Sequence, residues 1–96
     1  MSTPSKIILH SLQGYRADLQ PLVADWIREG VKYVGVVGVD AAQIEEAIDA
    51  LCVGDGSNPY FMLTASHGPS ETLADAVFLA EQLSAGLDGP STVVEF

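Results

Sequence analysis

Three rounds of a short apolar run followed by a helical stretch, then a fourth apolar run, leave this chain few architectures. KIILHSL at 6–12 is aliphatic and β-branched with no turn signal before Gly14, so it reads as a first strand. From Asp18 the residues Leu19, Leu22, Val23, Trp26 and Ile27 share one helical face, with Asp18 as N-cap, Pro21 in the first turn and Gly30 as the stop. VKYVGVVGV at 31–39 is almost uninterruptedly apolar, as in a strand covered on both faces. Its glycines Gly35 and Gly38 admit a close neighbour.

Asp40 followed by Gln43 predicts a capping box on a second helix, whose stripe is Ile44, Ala47, Ile48 and Leu51. That helix is expected to stop near Cys52 and Val53, because GDGSNP at 54–59 concentrates turn formers. A third strand is expected over 60–66. Pro69 and Ser70 open a third helix with Leu73, Ala76, Val77, Ala80 and Leu83 inward, ended by Gly86. Residues 87–90 connect to STVVEF at 91–96, the last strand.

Short connectors between alternating strands and helices imply parallel pairing through right-handed crossovers, with helices on the sheet faces. The expectation is one α/β domain over 1–96 with a flexible start at 1–5. It is a three-layer sandwich of four parallel strands and three helices, a minimal flavodoxin-like or Rossmann-like arrangement. Order 2-1-3-4 is favoured because it centres the first and third strands, with 3-2-1-4 as runner-up. Ligands of such sheets bind beyond the carboxyl ends of the strands. His10, Ser11, Arg16, Asp40, Thr64, Ser66 and His67 are therefore the candidate ligand-binding residues. Alternation sends His10 and Ser11 to opposite faces, and likewise Ser66 and His67.

Thirteen acidic residues against four basic ones, a net charge of −9, oppose binding to nucleic-acid phosphates or anionic membranes. A mimic of DNA would need its carboxylates along one exposed face, whereas these sit where amphipathic helices put them. Nothing in the first residues resembles a signal peptide or a spanning helix, so a cytoplasmic protein is expected. The lone Cys52 allows neither an internal disulfide nor a multi-thiolate metal site, in keeping with a reducing compartment.

No phosphate loop or dinucleotide fingerprint is present, so no cofactor is expected. The helices beginning near Asp40 and Ser70 offer amides to an anion, but Asp40, Glu71 and Asp75 crowd that pole and Arg16 is its only base. A Cys52 nucleophile is ruled out because the second helix delivers it to the far pole. GDGS lacks the alternating oxygens of a calcium loop. Two histidines among acids suit zinc or manganese only through a weak spacing signal, and no metal ligand is assigned. A Ser66, His10 or His67, and Asp40 hydrolase lacks a nucleophile elbow. A pH-sensitive contact is the milder role for the histidines.

YVGVVGVD at 33–40, AIDALCVGDGS at 47–57 and MLTASH at 62–67 resemble segments of a family of small bacterial proteins catalogued as a domain of unknown function. The resemblance implies a stand-alone bacterial protein and transfers no catalytic residue. The residues themselves favour a non-catalytic binding or regulatory module that takes a protein partner or small ligand at the pole of strands one and three. A small metal-assisted or Ser/His enzyme at the same pole is the alternative. The apolar strand 91–96 predicts an edge able to pair with a second copy.

Overall fold

Strand β1 (Lys6–Ser11) is paired in parallel with β2 (Tyr33–Gly38) on one side and β4 (Ser91–Glu95) on the other. Strand β3 (Leu63–Ser66) flanks β2, again in parallel, so the sheet order is 3-2-1-4. The computed structural model describes residues 6–57, 59–68, 70–82 and 91–96. The expectations for residues 1–5, Asn58, Pro69, Leu83, Gly86 and the connector 87–90 fall outside that set.

The α/β sandwich with a parallel four-stranded sheet is as the sequence predicts, but the favoured order 2-1-3-4 is corrected to the runner-up. Burial explains the correction. Strand β2 is buried along nearly its whole length, as is β1, whereas β3 and β4 are largely exposed or half-buried. The two most continuously apolar runs take the centre, because only there are both faces of a strand covered. The short, polar LTAS run is left at an edge. Strands β1 and β3 are therefore not neighbours, and β2 stands between them.

Helices α1 (Leu19–Glu29) and α2 (Ala41–Val53) pack on one face of the sheet and α3 (Leu73–Gln82) on the other. The strand order requires this: successive right-handed steps from β1 to β3 run one way, and the return step to β4 runs the other. Ile7 and Leu9 of β1 join Val34, Val36, Leu19, Val23, Trp26, Ile44 and Ile48 in the larger core. Ile8 meets Tyr33, Val37, Ala76 and Ala80 in the smaller one. Each fully buried Ile or Leu contributes roughly 1.5–3 kcal/mol of burial free energy. Only one helix covers the second face, and the edge residues Leu63 and Val93 stay exposed on it.

Lys6 is also buried on that face. Its Nζ donates to the Ala80 carbonyl at 3.0 Å, which supplies a partner to the last turn of α3. Gly30 ends α1 in the left-handed conformation, as the sequence predicts, with its N–H on the Ile27 carbonyl.

Two predicted caps do not form. Asp18 is itself helical, has no side-chain cap bond and instead lies 3.5 Å from Arg16 Nη1. Asp40 does not cap α2 either. Strand β3 starts at Leu63, later than expected, because the lead-in is tied elsewhere. The Tyr60 amide bonds the Cys52 carbonyl and its hydroxyl bonds the Val31 carbonyl at 2.6 Å. Among the described residues no helix is long and apolar enough to cross a membrane.

Candidate functional site

The carboxyl ends of β1, β2 and β3 share one end of the sheet, and the turn leaving β2 shapes it. Gly38, at φ 108°, lies so close to β1 that a Cβ there would overlap the Ser11 carbonyl oxygen. That oxygen accepts from the Val39 amide at 3.0 Å. Asp40 follows in the left-handed region at φ 58°, which an aspartate tolerates better than most residues. The resulting turn sets the first residues of α2 above the strand ends.

The Asp40 carboxylate does not fold back on its own helix. It accepts instead from the Tyr15 amide at 3.1 Å, in the loop after β1, and packs against Gly14. The Gly14 amide in turn donates to Ser11 Oγ at 3.1 Å. The first turn of α2 is thus left without a side-chain cap.

His67 follows β3 directly, and its amide donates to the Val36 carbonyl at 2.9 Å. The imidazole is 3% exposed. Nδ1 lies 2.7 Å from Glu71 Oε2, and the Gly68 amide donates to Glu71 Oε1 at 3.0 Å. These bonds, first that from His67, hold the Glu71 carboxyl below the usual carboxylate range. An ionised Glu71 only accepts, so Nδ1 carries a proton. Nε2 is then a lone pair in the neutral ring and a second N–H donor in the charged one. It is buried and has no partner among the described residues.

Two cavities flank this end of β2. One, of about 490 Å³, is lined by Asp40 to Gln43 at the start of α2 together with Ser66, His67 and Gly68. The other, of about 420 Å³, is lined by His10, Ser11, Leu12 and Glu71. Gly38, Val39 and Gly68 belong to both, so the two form one trough across the strand ends.

The candidate residues divide accordingly. His10, Ser11, Asp40, Ser66 and His67 line the trough, although the two histidines belong to its separate halves. The direct meeting expected of adjacent β1 and β3 is corrected, because β2 keeps them apart. Ser11 faces the larger core and His10 the α3 side, as alternation requires.

Thr64 lies lower, facing α2, with its hydroxyl 2.8 Å from Asp49 Oδ1 and 3.2 Å from Glu45 Oε2. Arg16 lines neither cavity. Its guanidinium lies over the Phe96 ring at 4.3 Å from the centroid. Cys52 lies in the last turn of α2 at the opposite pole, where burial, and secondarily Asp49, pushes its thiol pKa up. Among the described residues no three of His, Cys, Asp and Glu come together as a metal cluster would require.

Sequence reasoning missed Glu71 as the partner of His67 and Gln43 as a cavity residue. The spacing of four between His67 and Glu71 is visible, but it normally signals a helical pair, and here it spans a loop. No family model, curated protein or solved structure matches the chain.

Proposed function

We propose that this protein is a small-ligand binding module whose site is the trough across the ends of β1, β2 and β3. The cavity that gathers Asp40, Ser66 and His67 beside the strand ends carries this reading. The glycine-lined floor and the uncapped turn of α2 suit a polar molecule of modest size. A reducing, cytoplasmic setting accords with the buried lone thiol and the acidic composition.

An enzyme is the second reading, supported by Glu71 orienting His67 as it would a general base. Ser11 Oγ is engaged by the Gly14 amide, however, and no serine hydroxyl bonds His67 among the described residues. Binding is therefore preferred. Amide chemical-shift mapping against a library of small polar molecules tests it. Saturable shifts confined to 38–43 and 66–71 are expected, and hits scattered elsewhere or absent would overturn it.

A separate proposal concerns β4, whose outer edge is unpaired among the described residues and whose Val93 is 42% exposed. Two copies pairing along that edge would cover it. Light scattering on a size-exclusion column decides: a mass that stays monomeric at high concentration removes the idea.

A further inference from the structure

We propose that the half of the trough beyond the ends of β1 and β2 takes a small organic cation, whose charged head pairs with Glu71 and whose apolar body lies on Leu12 and Val39. The inference rests on the trough being a ligand site and adds the chemical class of the ligand. Shape, an available carboxylate and the distribution of charge each support it.

Strands β1 and β2 end in register at Ser11 and Gly38, so the residues that follow them, Leu12 and Val39, leave the sheet side by side. Both line the cavity of about 420 Å³, yet they stay 52% and 50% exposed. An aliphatic pair open to water on a cavity wall favours an apolar occupant, because the covered area leaves water. The volume suits a ring or short chain that carries one polar head.

Glu71 stands on the wall of the same cavity. A carboxylate offers about four acceptor positions, and here one oxygen is met by His67 Nδ1 and the other by the Gly68 amide. Positions remain free on both oxygens, and the side chain is 45% exposed. The same two bonds favour the ionised carboxyl, so the head that it pairs with is a cation.

Among the described residues no basic side chain competes for that place. Lys6 is bonded to Ala80, Arg16 lies over Phe96 beside Asp18, Arg28 is bonded to Asp25, and Lys32 lies over Tyr60. Those are all the lysines and arginines of the chain. Glu95, in register with His10 on the same sheet face, adds a second negative charge beside the cavity. An anion would meet carboxylates there, whereas a cation meets complementary charge.

Three probes share a ring and a planar head but differ in charge: benzamidine, benzamide and benzoate. Each is titrated into the isotope-labelled protein at about pH 8, where an ordinary imidazole is neutral. Benzamidine should give saturable shifts of the Val39, Gly68 and Glu71 amides, and nuclear Overhauser contacts from its ring to the Leu12 and Val39 methyl groups. Benzamide should bind about tenfold more weakly, and benzoate should not saturate.

Glu71→Gln should abolish the preference for benzamidine over benzamide, with its unfolding midpoint measured alongside. Salt makes the same test on the unaltered protein if that variant does not fold: between about 0.05 M and about 0.5 M sodium chloride, benzamidine should weaken and benzamide should not. Equal affinity for benzamidine and benzamide, saturation by benzoate, or no contact with Leu12 and Val39 overturns the proposal. Uncharged molecules that bind the trough without regard to charge would then leave the parent reading standing. A capped glycine-arginine-glycine peptide that binds more tightly than benzamidine would overturn the free ligand in favour of a partner's side chain.

Discussion

The Asp40 carboxylate and the Tyr15 amide, 3.1 Å apart, tie the turn that starts α2 to the loop that follows β1. The bond joins residues 25 positions apart and leaves a helix end open to a cavity. A short-range capping rule is overridden here by a long-range partner.

Replacing Asp40 tests its two roles together, holding a left-handed backbone and accepting from Tyr15. Asp40→Asn retains both and should leave stability within about 0.5 kcal/mol of the parent. Asp40→Ala loses both and should cost about 1–3 kcal/mol in urea unfolding. Equal midpoints for the two variants would show that the tether contributes nothing.

Gly38→Ala places a methyl group against the Ser11 carbonyl oxygen at a backbone angle that side chains rarely adopt. The atoms it would meet are all Ser11 backbone and cannot swing aside. A loss of about 1–3 kcal/mol is expected, with amide shift changes spreading to Ser11 and Val39. A variant as stable as the parent would contradict the close approach of β1 and β2.

Acid should weaken the fold partly through Glu71. Its folded pKa lies below the unfolded value of about 4.3, so its contribution is complete above that value. It is lost as pH falls toward and through the folded pKa. Asp55, lowered by the Ser57 hydroxyl and amide, acts with the same sign. Glu71→Gln should accordingly flatten the decline in stability between about pH 5 and about pH 3. Parallel stability curves for the two proteins would rule out the His67–Glu71 bond as the cause.

Lys6 is buried for the sake of its stem and its bond to Ala80. Lys6→Met keeps the packing and strands the carbonyl, whereas Lys6→Ala loses both. The alanine variant should be the less stable, with the lost partner alone costing about 1–3 kcal/mol. Thermal unfolding of the pair measures the order, and a less stable methionine variant would refute the packing role.

Local signals served well where one element determines its own structure. The stripes Leu19, Val23 and Trp26, then Ile44 and Ile48, then Ala76 and Ala80 are buried as their spacing predicts. Gly30 stops α1, and α2 ends at Val53 before its glycine-rich turn. The caps at Asp18 and Asp40 failed because a carboxylate takes whichever donor the fold brings nearest, and Tyr15 is distant in sequence. Much of the site was legible as well: His10, Ser11, Asp40, Ser66 and His67 reach the trough, while Thr64 and Arg16 face other partners.

The pattern of hydrophobic runs by itself determined the number and kind of elements and the pole at which polar strand ends collect, because periodicity and turn chemistry act within a few residues. Strand order was left to the tertiary structure, since it depends on which runs bury both faces at once. So too was the pairing of His67 with Glu71 beside an uncapped helix, because it needs a turn, a strand end and a loop placed together by packing.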